Sequence, residues 1–144
     1  MERRDFIKHT CAVCLAVSSG LLAFTLDSCA SFPVFEAEMT GRKLKVPLSA
    51  FANGDLLVVS AASLLYDIGL LRHKDGSCTA LLLRCTHADT QLIPEGNAFV
   101  CPAHGSRFDL QGHVLRGPAA RALTVFPVEQ ARDAFIVTID EKAL

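Results

Sequence analysis

The sequence predicts an all-β domain preceded by an N-terminal segment that does not belong to it. From residue 42 onward apolar residues recur in alternation or in short runs, at the period and length of strands and too briefly for helices. Turn-forming stretches punctuate those runs, namely Lys74-Asp75-Gly76, Pro94-Glu95-Gly96-Asn97, Gln111-Gly112 and Gly117-Pro118. Residues 11–26 form instead a single uncharged, largely apolar stretch.

That N-terminal segment reads as an export signal. Glu2-Arg3-Arg4-Asp5-Phe6-Ile7-Lys8 supplies a charged head, residues 11–26 an apolar core, and the next charge is Asp27. As a helix the core spans roughly 24 Å, short of the roughly 30 Å hydrocarbon thickness, which favours a removed signal over a retained anchor helix. Adjacent Arg3 and Arg4 with Phe6 and Lys8 resemble the twin-arginine signal, whose route carries folded proteins. Leu26-Asp27-Ser28-Cys29 resembles a bacterial lipobox with Cys29 as the lipid attachment site, although Asp27 departs from the small uncharged residue usual there. The expected division is a signal peptide or anchor at 1–28, a tether at 29–41 and the domain at 42–144. The expected location is the periplasmic side of a bacterial membrane, with attachment through lipid on Cys29 or through the N-terminal helix.

Composition narrows the class further. The 144 residues carry 14 basic and 15 acidic side chains for a formal charge of -1, which excludes a polybasic nucleic-acid or membrane-surface binder. Apolar residues at 51% against 20% charged exclude disorder, and the length suits one core with no room for a separate catalytic domain.

Within the domain, residues 42–47 alternate as a half-buried strand and 56–60 form a buried-type apolar run. Residues 67–72 lead through Lys74-Asp75-Gly76 into a hairpin with 78–84. Further strands are expected at 98–101, 106–110, 122–128 and 134–139, and a helical turn only at 60–65. Phe99, Phe126 and Phe135 read as core, and Cys78 as a buried thiol sharing its strand face with Ala80 and Leu82. His73 reads as a solvated strand-end residue and His113 as a turn residue.

The chemistry lies in Cys85-Thr86-His87 and in Cys101-Pro102-Ala103-His104-Gly105-Ser106-Arg107-Phe108-Asp109. Each stretch offers one thiol and one imidazole just after an expected strand. Of the six cysteines, Cys11 and Cys14 lie in the signal stretch and Cys29 at the lipid site, leaving Cys78, Cys85 and Cys101. Three thiols cannot all pair, and exported proteins usually oxidise theirs, so the odd set points to metal ligation. A zinc finger places two cysteines together and two histidines further on, whereas mixed pairs suit a two-iron cluster with both cysteines on one iron. With Gly105-Ser106, Phe108-Asp109 and Gly117-Pro118-Ala119 added, the chain resembles the Rieske 2Fe-2S proteins over roughly residues 42–140. A zinc-bound structural module is the competing reading.

The resemblance implies a small antiparallel β-sandwich or barrel, with a cluster-binding subdomain inserted as two loops and a third, proline-containing loop covering the cluster. It implies one 2Fe-2S cluster per chain, with Cys85 and Cys101 on the inner iron and His87 and His104 on the outer iron near the surface. Ser106 can donate to it through its hydroxyl. Two thiolates make such a cluster neutral when oxidised and singly negative when reduced, so it accepts an electron more readily than a four-thiolate cluster. Potentials of roughly -150 to +300 mV, against about -400 mV for plant-type ferredoxins, follow.

Three departures bear on this. The gap of 13 residues between His87 and Cys101 is short for the family. Thr90 and Ala103 stand where respiratory members have a loop-bridging disulfide, and Phe108 where high-potential members have tyrosine. The missing disulfide and hydroxyl argue for the lower or middle part of the range. The function implied is one-electron transfer as an exported respiratory or quinol-linked redox subunit, with no catalytic site of its own. A small subunit of a periplasmic molybdenum-type oxidase or reductase is the alternative. The partner is a quinol or a redox protein, not a nucleic acid, and export after folding suits a chain that receives its cofactor before crossing.

Overall fold

The computed structural model describes Phe32 and residues 34–140. Among these lie thirteen strands. The first seven are β1 (Val34–Glu36), β2 (Met39–Thr40), β3 (Lys43–Pro47), β4 (Leu56–Ser60), β5 (Ile68–Arg72), β6 (Cys78–Leu82) and β7 (Ile93–Glu95). There follow β8 (Ala98–Val100), β9 (Arg107–Asp109), β10 (Val114–Arg116), β11 (Val125–Phe126), β12 (Val128–Gln130) and β13 (Ala134–Thr138). They form a five-stranded sheet in the order β1-β4-β5-β6-β11 and two four-stranded sheets, β12-β13-β3-β2 and β10-β9-β8-β7. All pairings are antiparallel except β1 with β4. The all-β architecture is as expected.

The central strands of the five-stranded sheet are buried on both faces, and their sequence says so. Along β4, Leu57 and Val59 enter one core and Val58 enters a second. Along β6 and into Leu83 the same alternation sends Ala80 and Leu82 one way, Leu81 and Leu83 the other. Successive strand residues point to opposite faces, so a sheet covered twice requires unbroken apolar runs, here at 56–59 and 80–83. The first core lies between this sheet and β3 and β13, filled by Leu44, Val46, Phe126, Phe135 and Val137. The second lies toward the β7–β10 sheet and includes Leu92, Phe99, Phe108 and Leu123.

Gly69 of β5 makes that second contact possible. A Cβ there would stand 3.0 Å from Leu83 Cδ2 and 3.1 Å from Phe99 Cζ, so the missing side chain lets the Phe99 ring pack directly on the strand. The chain leaves the large sheet after Leu82 and returns to it at Val125. Everything between is an inserted subdomain standing on the second core.

Several expectations need correction. The segment 29–41, expected as a tether, contributes β1 and β2 to two different sheets, and Ala37 N–H donates to Ser60 O at 2.9 Å. The expected strand 122–128 is two strands in two sheets, because Pro127 lacks the N–H a continuous ladder needs. Its carbonyl instead accepts the Thr138 N–H at 3.0 Å. Of residues 60–65, Ser60 ends β4 and the rest make turns and bends, and the 3-10 turn lies at Leu48–Phe51. Cys78 is half-buried rather than buried, and His73 is half-buried with a ring nitrogen 2.7 Å from Thr79 Oγ1. Among the described residues no helix is long and apolar enough to cross a membrane. The proposed signal segment and Cys29 lie outside the described residues.

Candidate metal centre

Two loops of the subdomain close in the same way. In the first, Cys85 N–H donates to Thr90 O at 2.8 Å and Asp89 N–H donates back to Cys85 O at 3.0 Å. In the second, Cys101 N–H donates to Ser106 O at 2.8 Å and Gly105 N–H to Cys101 O at 3.0 Å. The fifth residue of each loop turns the chain back with a positive φ, 48° at Asp89 and 74° at Gly105. That conformation comes without steric strain to glycine and is tolerated by aspartate.

This closure separates the donors by depth. Cys85 and Cys101 are 0% and 1% exposed at the bottom of the loops and belong to the second core, whereas His87 and His104 are exposed at the rim. The two imidazoles face each other with ring centroids 5.2 Å apart and planes at 74°. The four donors are thus a sulfur pair beneath a nitrogen pair. Among the described residues no three His, Cys, Asp or Glu side chains gather about one point.

Of the two sulfurs, that of Cys85 is prepared for negative charge. Burial pushes the Cys85 thiol up, but the backbone N–H groups of His87 and Ala88 and the side chains of Cys101 and Ser106 together outweigh it and lower its pKa. Ser106 is fully buried, and its Oγ accepts the Ala119 N–H at 3.0 Å. That bond fastens the third loop, which follows β10, to the second. The third is also tied to the first: Thr86 Oγ1 donates to Arg121 O at 2.7 Å, and Arg121 Nη2 donates to Thr86 O at 3.4 Å.

All five residues singled out in this region, Cys85, His87, Cys101, His104 and Ser106, meet at one end of the subdomain. Cys78 does not join them and packs against the first core. Sequence reasoning missed Tyr66, Arg84, Asp89 and Arg121. A signal for Asp89 was available: aligning the two loops sets it opposite Gly105.

An all-β domain whose inserted loops present two buried thiols below two exposed imidazoles is built for a [2Fe-2S] cluster. The family model that matches, over residues 42–127, is the Rieske [2Fe-2S] domain, and the chain belongs to that family. Its cofactor is accordingly a [2Fe-2S] cluster, and a buried, donor-surrounded sulfur pair with an adjacent imidazole pair fits that group.

The chain is 41% identical over 56 residues to the cytochrome b6-f complex iron-sulfur subunit of Prochlorococcus marinus (strain AS9601), covering 37% of this chain and 31% of that one. It is 46% identical over 54 residues to the cytochrome b6-f complex iron-sulfur subunit 2 of Nostoc sp., covering 36% and 30%. The matched stretch spans under a third of these relatives' length. Among solved structures, the cyanobacterial plasma membrane Rieske protein PetC3 from Synechocystis PCC 6803 is similar in fold. Its TM-score is 0.54 at 24% identity, over 64% of this chain and 94% of that one. A chain from a complex of reduced oxygenase and oxidized ferredoxin in carbazole 1,9a-dioxygenase gives a TM-score of 0.51 at 25% identity, covering 69% and 94%.

Proposed function

We propose that the chain transfers one electron at a time as an exported redox subunit on the periplasmic side of a membrane, exchanging electrons with a quinol or a redox protein. In this reading Cys85 and Cys101 hold the inner iron, and His87 and His104 the outer iron. The observation that carries it is the separation by depth, 0% and 1% exposure at the two cysteines against exposed histidines on matching loops. When bound, the cluster supplies a site that accepts and releases a single electron.

The chain's own residues do the rest. Two thiolates balance the charge of the iron–sulfide core, and the N–H groups of His87 and Ala88 and the Ser106 hydroxyl stabilise electron-rich sulfur. The second core keeps water from the sulfurs. The exposed imidazoles are where a partner approaches nearest to the irons. Similarity to cytochrome b6-f iron-sulfur subunits supports the quinol-linked role. The Arg3-Arg4 head and Cys29 support export and lipid attachment.

Purified protein tests the centre: two irons and two sulfides per chain, a reduced-state EPR signal and nitrogen couplings from two histidines are expected. A colourless, EPR-silent protein containing zinc refutes it. For export, Arg3→Lys with Arg4→Lys should retain folded precursor in the cytoplasm, and Cys29→Ser should release the protein from membranes. Unchanged export, or retention on the membrane through salt washing, overturns the respective reading.

A further inference from the structure

We infer that Tyr66, Arg84 and Asp89 form a clasp that positions the His87 loop, an inference that rests on the cluster-binding role of that loop. The two loops share one closure, yet the residue that turns the chain back is glycine in one and aspartate in the other. Asp89 is the one non-glycine with a positive φ among the described residues. A side chain in that conformation meets steric opposition that glycine avoids, so its presence calls for a compensating interaction.

Three interactions supply it. The Asp89 carboxylate accepts from Arg84 Nε at 2.9 Å and from Arg84 Nη2 at 2.7 Å, both on Oδ1. The Asp89 carbonyl accepts from the Tyr66 hydroxyl at 2.7 Å. The Arg84 guanidinium carbon lies 5.6 Å from the centre of the Tyr66 ring, closing the triangle. Arg84 immediately precedes Cys85 and pairs with Gln91 beyond the loop, so the clasp is anchored where the loop leaves the body.

His87 sits between two restraints as a result. On its N-terminal side Thr86 is fixed to Arg121, and on its C-terminal side Asp89 is fixed to Arg84 and Tyr66. Thr90 adds no outward tie, because its hydroxyl donates to Ala88 O within the same loop. An exposed ion pair contributes little to overall stability. Its effect here is geometric: it narrows the positions open to the loop that presents the imidazole. These three are positioning residues, acting on the iron through His87.

Asp89→Gly separates position from folding. It removes the carboxylate while giving the backbone the residue best suited to its φ, so a purely structural role predicts a protein at least as stable and otherwise unchanged. The clasp predicts broadened EPR lines of the reduced protein and iron loss to a chelator faster by about tenfold, at an unchanged unfolding midpoint. Tyr66→Phe, which deletes only the hydroxyl, should move both readouts the same way. Asp55→Ala, which breaks the 2.8 Å Arg72–Asp55 pair on another exposed surface, is the control and should change neither.

Parent-like lines and iron loss in Asp89→Gly overturn the clasp, as does an equal change in Asp55→Ala. If the parent itself lacks an iron–sulfur EPR signal, the cluster reading fails instead. Amide hydrogen exchange then decides the clasp: faster exchange across residues 86–89 in Asp89→Gly supports it, and no difference overturns it.

Discussion

Ala119 donates its backbone N–H to the Ser106 hydroxyl oxygen at 3.0 Å, joining the third loop to the second at a fully buried point. A serine hydroxyl has one proton. With its oxygen already accepting from Ala119, that proton is free to point at sulfur, and the Ser106 side chain stands against Cys85. The third loop thus ties into the hydroxyl that stands beside Cys85.

Ser106→Ala should consequently lower the reduction potential. A hydrogen bond to a charged acceptor contributes about 1.5 kcal/mol, and for one electron this corresponds to roughly 60 mV. The sign is negative because the donor favours the reduced, electron-rich form. The variant also leaves the buried Ala119 N–H without its acceptor, at about 1–3 kcal/mol of stability. Redox titration beside urea unfolding checks both, and an unchanged potential shows that the proton points elsewhere.

Removing any one proposed ligand should remove the cluster. His87→Ala, His104→Ala, Cys85→Ser and Cys101→Ser are each expected to lose iron and the reduced-state EPR signal, and to unfold at lower temperature than the loaded parent, since cluster binding favours the folded state. A variant that keeps the parent spectrum and iron content identifies a residue that is not a ligand.

The parts legible in the sequence are those whose physics is local. Strands β4 and β6 read correctly because burial on both faces demands unbroken apolar runs. The candidate ligands Cys85, His87, Cys101 and His104 could be singled out because their spacing is set within single loops. Strands β1, β2, β7 and β10 did not, because two or three residues with largely exposed side chains carry no measurable period. The ties around the site were invisible for another reason. Tyr66 meets Asp89 across 23 positions and Thr86 meets Arg121 across 35, and no local pattern encodes such partners.

Gly112 and Gly96 both have positive φ, 89° and 61°, but differ in surroundings, which sets up a paired prediction. A Cβ on Gly96 meets nothing within 4 Å, so Gly96→Ala should cost only the backbone strain, about 1–2 kcal/mol. A Cβ on Gly112 would stand 2.9 Å from Leu81 Cδ2 and 3.2 Å from Leu123 Cβ, in a turn whose carbonyl accepts the Leu123 N–H at 2.9 Å. Overpacking then adds about 1–3 kcal/mol to the same strain. Urea unfolding should rank Gly112→Ala clearly below Gly96→Ala, and equal losses would show that the second core gives way freely around Gly112.

Cys78 sets an alkaline limit on stability. It packs against the first core from β6, and burial pushes its thiol up from 9.0 to about 11 against the opposing pull of Arg72. The folded chain thus holds this proton to higher pH than the unfolded chain. Below about pH 9 both states are protonated and the group has no pH effect. As pH rises from 9 toward 11, the unfolded state gains by ionising and the folded state does not, so stability falls across that window. Cys78→Ala should flatten the fall, while costing a modest amount at neutral pH through lost sulfur packing. Urea midpoints of both proteins between pH 8 and 11 give the test, and the difference isolates the thiol because every other titrating group is common to both. Parallel curves would assign the alkaline loss to other groups and leave Cys78 as packing alone.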